Sequence, residues 1–249
     1  MDNLMTDNLM IELSDIHLTL EGGSGKVNIL RGVNLQVDKA ETLAVVGPSG
    51  SGKTTTLMIM AGLERPSSGF VRVAGQNLTG MHEDALARFR RSNLGIVFQS
   101  FHLVPTMTAL ENTALPLEFA HRPDARDRAM HALAAVGLQG RAGHYPAQLS
   151  GGEQQRVALA RAFAGEPRVI LADEPTGNLD SETGRRVMEH LFSMQQKLDT
   201  TLVLITHDKT LAANCSRQVH MEDGMLHDGC PRCSAAPEPA DSAETAPAR

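Results

Sequence analysis

The feature that most restricts the fold of this chain is the octapeptide Gly47-Pro48-Ser49-Gly50-Ser51-Gly52-Lys53-Thr54. It lies between a short apolar run, Leu43 to Val46, and a stretch from Lys53 to Leu63 that reads as a helix stopped near Pro66. The octapeptide fits G-x-x-x-x-G-K-[ST], and strand, loop, helix is the context in which that pattern has a mechanism. Glycines let backbone N–H groups converge on phosphate oxygens, and the helix N-terminus adds positive potential. Lys53 then reaches the β and γ phosphates, and the Thr54 hydroxyl, followed by Thr55, ligates magnesium. A glycine-rich turn with a solvated lysine is the alternative, and the flanking elements weigh against it. Further short apolar runs at Leu94 to Phe98, Val169 to Ala172 and Leu202 to Ile205 look buried on both faces, as parallel strands do. The expected fold class is therefore α/β with a parallel core sheet.

Around that core, β-branched and alternating patches from Met10 to Val37 predict an antiparallel lobe at the start. Ala and Leu periodicity in RDRAMHALAAVGL predicts a helical lobe inserted at about 101–167. The last sixteen residues, 234–249, hold six Ala, three Pro and three acids and no large apolar group, so a disordered tail is expected after a domain spanning 1–233. With 249 residues, 41% apolar and 21% charged, the body has ample material for a core. Lys plus Arg total 23 against 29 Asp plus Glu, a net charge of −6, which argues against nucleic acid as a partner. No apolar run approaches the roughly 18 to 20 residues of a spanning helix, and the start MDNLMTDNLM lacks the basic patch and apolar stretch of a signal peptide. Three cysteines are too few for a disulfide framework, so a cytoplasmic setting is expected.

A magnesium-nucleotide site also needs a carboxylate at the end of a neighbouring buried strand, and Asp173-Glu174 closes the run RVILA. Asp173 is placed to hold magnesium and Glu174 to act as general base on an attacking water. Alone, such a pair reads as a solvated strand end; beside a phosphate loop it gains a function. In LSGGEQQR, Ser150 with Glu153 three residues on forms a capping-box pattern, and VALARAFAG continues the helix to about Gly165. Gly151 and Gly152 weaken a first turn unless something approaches the backbone closely, and a phosphate would suit them.

LSGGEQQR, 23 residues before the carboxylate pair, resembles the signature of ATP-binding-cassette ATPases. The resemblance spans roughly Met10 to Gly224 and implies a RecA-like P-loop core with an antiparallel β lobe and an inserted helical signature lobe. It identifies Gln99 (VFQS) with the Q-loop, Gly177-Asn178-Leu179-Asp180 with the D-loop and His207 (LITHD) with the switch histidine. Within the family, LVPTMTALENTALPLEFA and DEPTGNLD look most like the lipoprotein-release and macrolide-export group. Membership of that family implies a head-to-tail homodimer with two ATP molecules, each between one subunit's phosphate loop and the other's Ser150 to Gly152. The side chains fit those roles. Gln99 follows an apolar strand, so its amide can reach magnesium or the water; a neutral His207 imidazole could bond the γ-phosphate and orient Glu174.

The resemblance also implies a membrane permease received by the helical lobe, with the chain peripheral on the inner face of the membrane. Phe101, Leu103, Val104 and Met107 are the expected contacts, with Pro105 and Leu110 in the same apolar stretch; ordinary core is the alternative for it. The expected function is ATP hydrolysis driving export or lipid and lipoprotein extraction. A force-transmitting or regulatory module is the alternative, and a soluble repair or translation ATPase is disfavoured. Two departures stand out. Relatives commonly stack adenine on an aromatic residue, where this chain has Leu20, so modest affinity and weak discrimination between ATP and GTP are expected. Cys230 and Cys233, with His220, His227 and Cys215 nearby, read as free thiols at a C-terminal turn or, with two further ligands, as a zinc site.

Overall fold

The computed structural model describes residues 8–22 and 25–228. The expected tail, the domain boundary at 233 and the Cys230/Cys233 pair lie outside those residues.

Strands Leu9–Gly22 (β1) and Gly25–Asp38 (β2) form a long antiparallel pair, extended by Ser68–Val73 (β4) and Gln76–Asn77 (β5) in the order β2-β1-β4-β5. This is the antiparallel lobe that the alternating patches predicted. Its inward residues, among them Ile11, Leu13, Ile16 and Val33, are buried.

The second sheet has six strands. Thr42–Val46 (β3), Leu94–Phe98 (β6), Val169–Asp173 (β7), Thr201–Ile205 (β8) and Arg217–Glu222 (β9) are parallel in the order β9-β3-β8-β7-β6, and Met225–Asp228 (β10) adds an antiparallel edge beside β9. Every residue of β8 and Val169 to Ala172 of β7 are buried, which is why these strands are continuous apolar runs instead of alternating ones. Two cores result. One lies between the two sheets and takes in Leu57 and Ile59; the other lies on the far face of the second sheet.

Helix Lys53–Met60 (α1) follows β3 and ends three residues before Leu63, where Ala61 and Gly62 close it. Helix Glu83–Asn93 (α2) leads into β6. Between β6 and β7 come Ala109–Phe119 (α3), Ala125–Ala135 (α4), two single 3₁₀ turns and Gly151–Phe163 (α5). Thr108 and Glu111 form a full capping box at α3, as Ser150 and Glu153 do at α5. Pro116 sits inside α3 near its end, where the missing N–H costs little further helix. Ser181–Leu198 (α6) and Lys209–Ala212 (α7) complete the fold. Among the described residues, no helix is long and apolar enough to cross a membrane.

Candidate functional site

The octapeptide follows β3 and runs into α1, as its pattern demands. Two of its three glycines answer first to the protein itself. Gly47 has φ 151° and a Cβ there would stand 2.0 Å from the Met221 carbonyl oxygen; Gly52 has φ 103° and a Cβ would meet Leu30 at 2.8 Å. The loop is thus seated on β9 and β2, and the Gly224 N–H, from the turn between β9 and β10, donates to the Ser51 carbonyl at 3.0 Å. Lys53 is 7% exposed and arches back over the loop, its Nζ donating to the carbonyls of Gly47 (2.9 Å) and Pro48 (2.7 Å). Burial pulls its pKa down, opposed by the charges of Glu174 and Asp173. The Ser51 hydroxyl is buried without a hydrogen-bond partner among the described residues, an unmet polar group lining the cradle.

The parallel β7–β8 register pairs Asp173 with Ile205 and so brings two strand ends to the loop. The Thr54 hydroxyl donates to Asp173 Oδ2 at 2.9 Å. Burial pushes the Asp173 pKa up, against the Thr54 hydrogen bond. A hydroxyl and a carboxylate in contact, both oxygen donors, suit a hard divalent cation such as Mg²⁺. Next door, Glu174 holds a left-handed φ of 44°, a conformation that costs roughly 1–3 kcal/mol in a non-glycine residue. Its N–H donates to Ile205 O at 3.0 Å, and its Oε2 lies 2.8 Å from His207 Nδ1, just beyond β8. The expected base and its orienting histidine are therefore in contact.

Gln99 is placed differently. Its Nε2 donates to Asn178 Oδ1 at 3.3 Å, and Asn178 Nδ2 returns a bond to Gln99 O at 3.0 Å. A Cβ on Gly177 would stand 2.6 Å from Gln99 Nε2. Of the three residues expected at the metal, Thr54 and Asp173 meet, while the Gln99 amide turns toward the 177–180 segment because Asn178 satisfies both its donor and its own carbonyl.

At α5, Ser150 Oγ accepts from the Glu153 N–H (3.3 Å) and Glu153 Oε2 accepts from the Ser150 N–H (2.9 Å). Gly152 requires a different explanation from the expected phosphate: a Cβ there would fall 2.2 Å from Thr183 Cγ2, so the packing of α6 against α5 already demands glycine. Asp180 caps α6 by accepting from the Thr183 N–H at 3.0 Å, and the hydrogen bonds it accepts hold its carboxyl below the usual range. A cavity of about 560 Å³, lined by Glu174, Thr176, Asp180, His207, Asp208 and Leu211, joins this end to the Glu174–His207 pair.

In the apolar stretch after Gln99, Phe101, Leu103, Val104 and Met107 are half-buried, Pro105 is exposed and Leu110 belongs to the core. They do not line the nearby 440 Å³ cavity between β6 and the ends of α3 and α5, whose walls include Arg91, Ile96, Leu117 and Arg161. Leu20 is 49% exposed and directly opposite Val27, also exposed. His220 and His227 are cross-strand partners on β9 and β10. Cys215 is buried, its thiol pushed up to about 12, and no cluster of three metal-ligating side chains exists among the described residues.

Three polar residues, Asn112, Gln155 and Arg161, hold the site's surroundings; Gln155 lies in LSGGEQQR, while Asn112 and Arg161 belong to no motif. Their signal in the sequence is that each interrupts an otherwise apolar helical face.

Residues 30–177 match the protein family described as ABC transporter. The chain is 48% identical over 221 residues, 88% of its length and 97% of the relative's, to an uncharacterized ABC transporter ATP-binding protein, YbbA, of Escherichia coli K12. It is 46% identical over 219 residues, covering 87% and 97%, to the lipoprotein-releasing system ATP-binding protein LolD of Geobacter metallireducens. Among solved structures, the dimeric post-hydrolysis state of the ATP-binding cassette MJ0796, bound to ADP and Pi, superposes with a TM-score of 0.82 at 39% identity, over 88% of this chain and 98% of that one. The chain belongs to the ATP-binding-cassette transporter family and is its ATP-binding, ATP-hydrolysing subunit.

Proposed function

We propose that this subunit binds Mg·ATP on the loop from Gly47 through Pro48, Ser49, Gly50, Ser51, Gly52, Lys53 and Thr54 to Thr55, and hydrolyses it with Glu174 as general base. The observation that carries the reading is the Glu174–His207 contact beside the Thr54–Asp173 pair. Thr54 and Asp173 would hold Mg²⁺, which supplies charge neutralisation at the phosphates. Glu174 takes the proton of the attacking water, and His207 keeps that carboxylate aimed and lends its second nitrogen to the γ-phosphate. Lys53 exchanges its loop carbonyls for phosphate oxygens. Gln99 exchanges Asn178 for the attacking water, which shifts the loop that follows it.

The opposing half of each site is Ser150, Gly151 and Gly152 of a second copy, with Asp180 at its edge, so the working unit is a homodimer. The dimeric state of the MJ0796 cassette supports this reading. The transporter names of the relatives weigh toward a membrane permease as partner, in export or lipoprotein extraction, and toward a cytoplasmic position against the membrane. Phe101, Leu103, Val104 and Met107 remain the proposed contacts, and their half-burial leaves apolar surface for them to offer.

Glu174→Gln tests the whole assignment. Hydrolysis should fall about 10²–10⁴-fold with ATP binding retained, and the ATP-locked protein should recover a permease from solubilised membranes. A dimer that forms with ATP and recovers no membrane protein overturns the permease reading; undiminished hydrolysis overturns the base.

A further inference from the structure

Among the described residues, only Phe101 and His102 are consecutive non-glycine residues in the left-handed region, at φ 52° and 48°. Such a pair unwinds unless something holds it. One side chain takes both carbonyls: Arg161 Nη2 donates to Phe101 O at 2.8 Å and Nη1 to His102 O at 2.6 Å. Burial lowers the pKa of this guanidinium, and its hydrogen-bond partners among the described residues are these two carbonyls, with no carboxylate beside them. Arg161 is half-buried, and its guanidinium turns from the solvent to two neutral carbonyls, a pair that the rigid fork of arginine fits as lysine cannot.

Arg161 does not act alone. From the same helix, Gln155 Nε2 lies 3.5 Å from Phe98 O, and its buried Oε1 has no partner among the described residues. From α3, the fully buried Asn112 accepts from the Val104 N–H at 2.7 Å and donates to the carbonyls of Val104, Met107 and Thr108. The loop is thus held on both sides of Gln99 by the helix whose first turn is Ser150 to Gly152, and farther along by Asn112 of α3.

We propose that Arg161 is a positioning residue: it clasps the loop carrying Gln99 to the signature helix, so that Gln99 and the Ser150–Gly152 face move as one body. In this arrangement a change of partner at Gln99 displaces the surface offered to the second subunit, with no flexible joint between them. The inference rests on the reading of Gln99 as part of the hydrolytic site.

The test compares full-length Arg161→Lys and Arg161→Met with the parent by amide hydrogen exchange, fluorescent ATP-analogue binding and steady-state hydrolysis. Losing two charge-assisted bonds should speed exchange of residues 99–104 about tenfold or more in the Met variant, less in the Lys variant, with α5 itself still protected. Analogue affinity should stay within about twofold while kcat falls about tenfold, again with Lys intermediate. Unchanged exchange in the loop overturns the clasp, as does a kcat loss that merely tracks lost analogue binding. If the Met variant fails to fold, the Lys variant decides by the same criteria. Gln99→Ala separates the two readings: normal hydrolysis there defeats the role of Gln99, while the loop exchange judges the clasp by itself.

Discussion

The two loops proposed to bind phosphate are built in opposite ways. The phosphate loop has its chemistry inside: Lys53 and Ser51 are 7% and 5% exposed, and the seat beneath them joins Leu30 of β2 to Met221 of β9, far apart in the chain. The signature turn has its chemistry outside. Ser150 and Asp180 are exposed, and the side chain of each caps its helix by accepting from the N–H three residues on. A loop that is long-range and buried is a finished receptacle; a loop that is local and exposed is a face, and a face functions when something is pressed against it. That contrast makes a composite site between two copies the natural arrangement.

The sharpest way to break the comparison is to damage one loop per chain. Lys53→Ala and Ser150→Arg should each abolish hydrolysis, the second while still binding nucleotide. Mixing the two proteins should restore activity, because one mixed site pairs an intact phosphate loop with an intact signature face. Absence of any recovery in a mixture shown to contain mixed dimers would mean that both loops serve within one chain.

A second effect separates crowding from ligand approach at Gly152. Gly152→Ala should lose about 1–3 kcal/mol in denaturant unfolding through the Thr183 methyl. Adding Thr183→Ser, which removes that methyl, should return most of it. Stability recovered without ATP-dependent dimerisation would show that the phosphate also needs the bare backbone.

Asp173 offers a smaller, pH-dependent contrast. A carboxyl whose pKa is raised by folding keeps its proton in the folded chain after the unfolded chain has released it. Stability therefore falls as pH rises from the ordinary carboxyl range through the raised one, and the loss is complete above. Asp173→Asn removes that loss, so its Tm at pH 7 should exceed the parent's, with the gap closing toward acid, while hydrolysis is lost. A Tm below the parent's at pH 7 would mean that the Thr54 hydrogen bond outweighs burial. Least of all, Leu20→Tyr should tighten ATP binding by part of the ~1–3 kcal/mol of base stacking; unchanged affinity would place adenine away from the exposed Leu20–Val27 pair.

What could be read without the structure divides along the same line. The phosphate loop, the acids ending β7, the capping box at Ser150 and the parallel strands are legible because each is a local pattern with a fixed spacing. The hairpin of β9 and β10 and the long helix α6 are not, since neither carries a motif. Gln99 can be located from the sequence but its partner cannot, because reciprocity with Asn178 depends on two loops 79 residues apart. Arg161 and Asn112 can be seen as polar breaks in apolar helical faces but their partners cannot, for a sequence does not display which carbonyl a side chain will find. Gly152 points to the right place for an incomplete reason, as its nearest constraint is a methyl on another helix.

The seat of the phosphate loop also bears on the order of biosynthesis. Gly47 rests on the carbonyl of Met221, Thr56 Oγ1 lies 3.6 Å from the Met221 sulfur, and Gly224 bonds both Ser51 and Arg31. A growing chain on the ribosome has made its nucleotide loop long before it has made the strand that shapes it. Until residues 217–228 emerge, the loop lacks the contacts that shape it in the folded chain, which ties completion of the nucleotide loop to the end of the fold's synthesis.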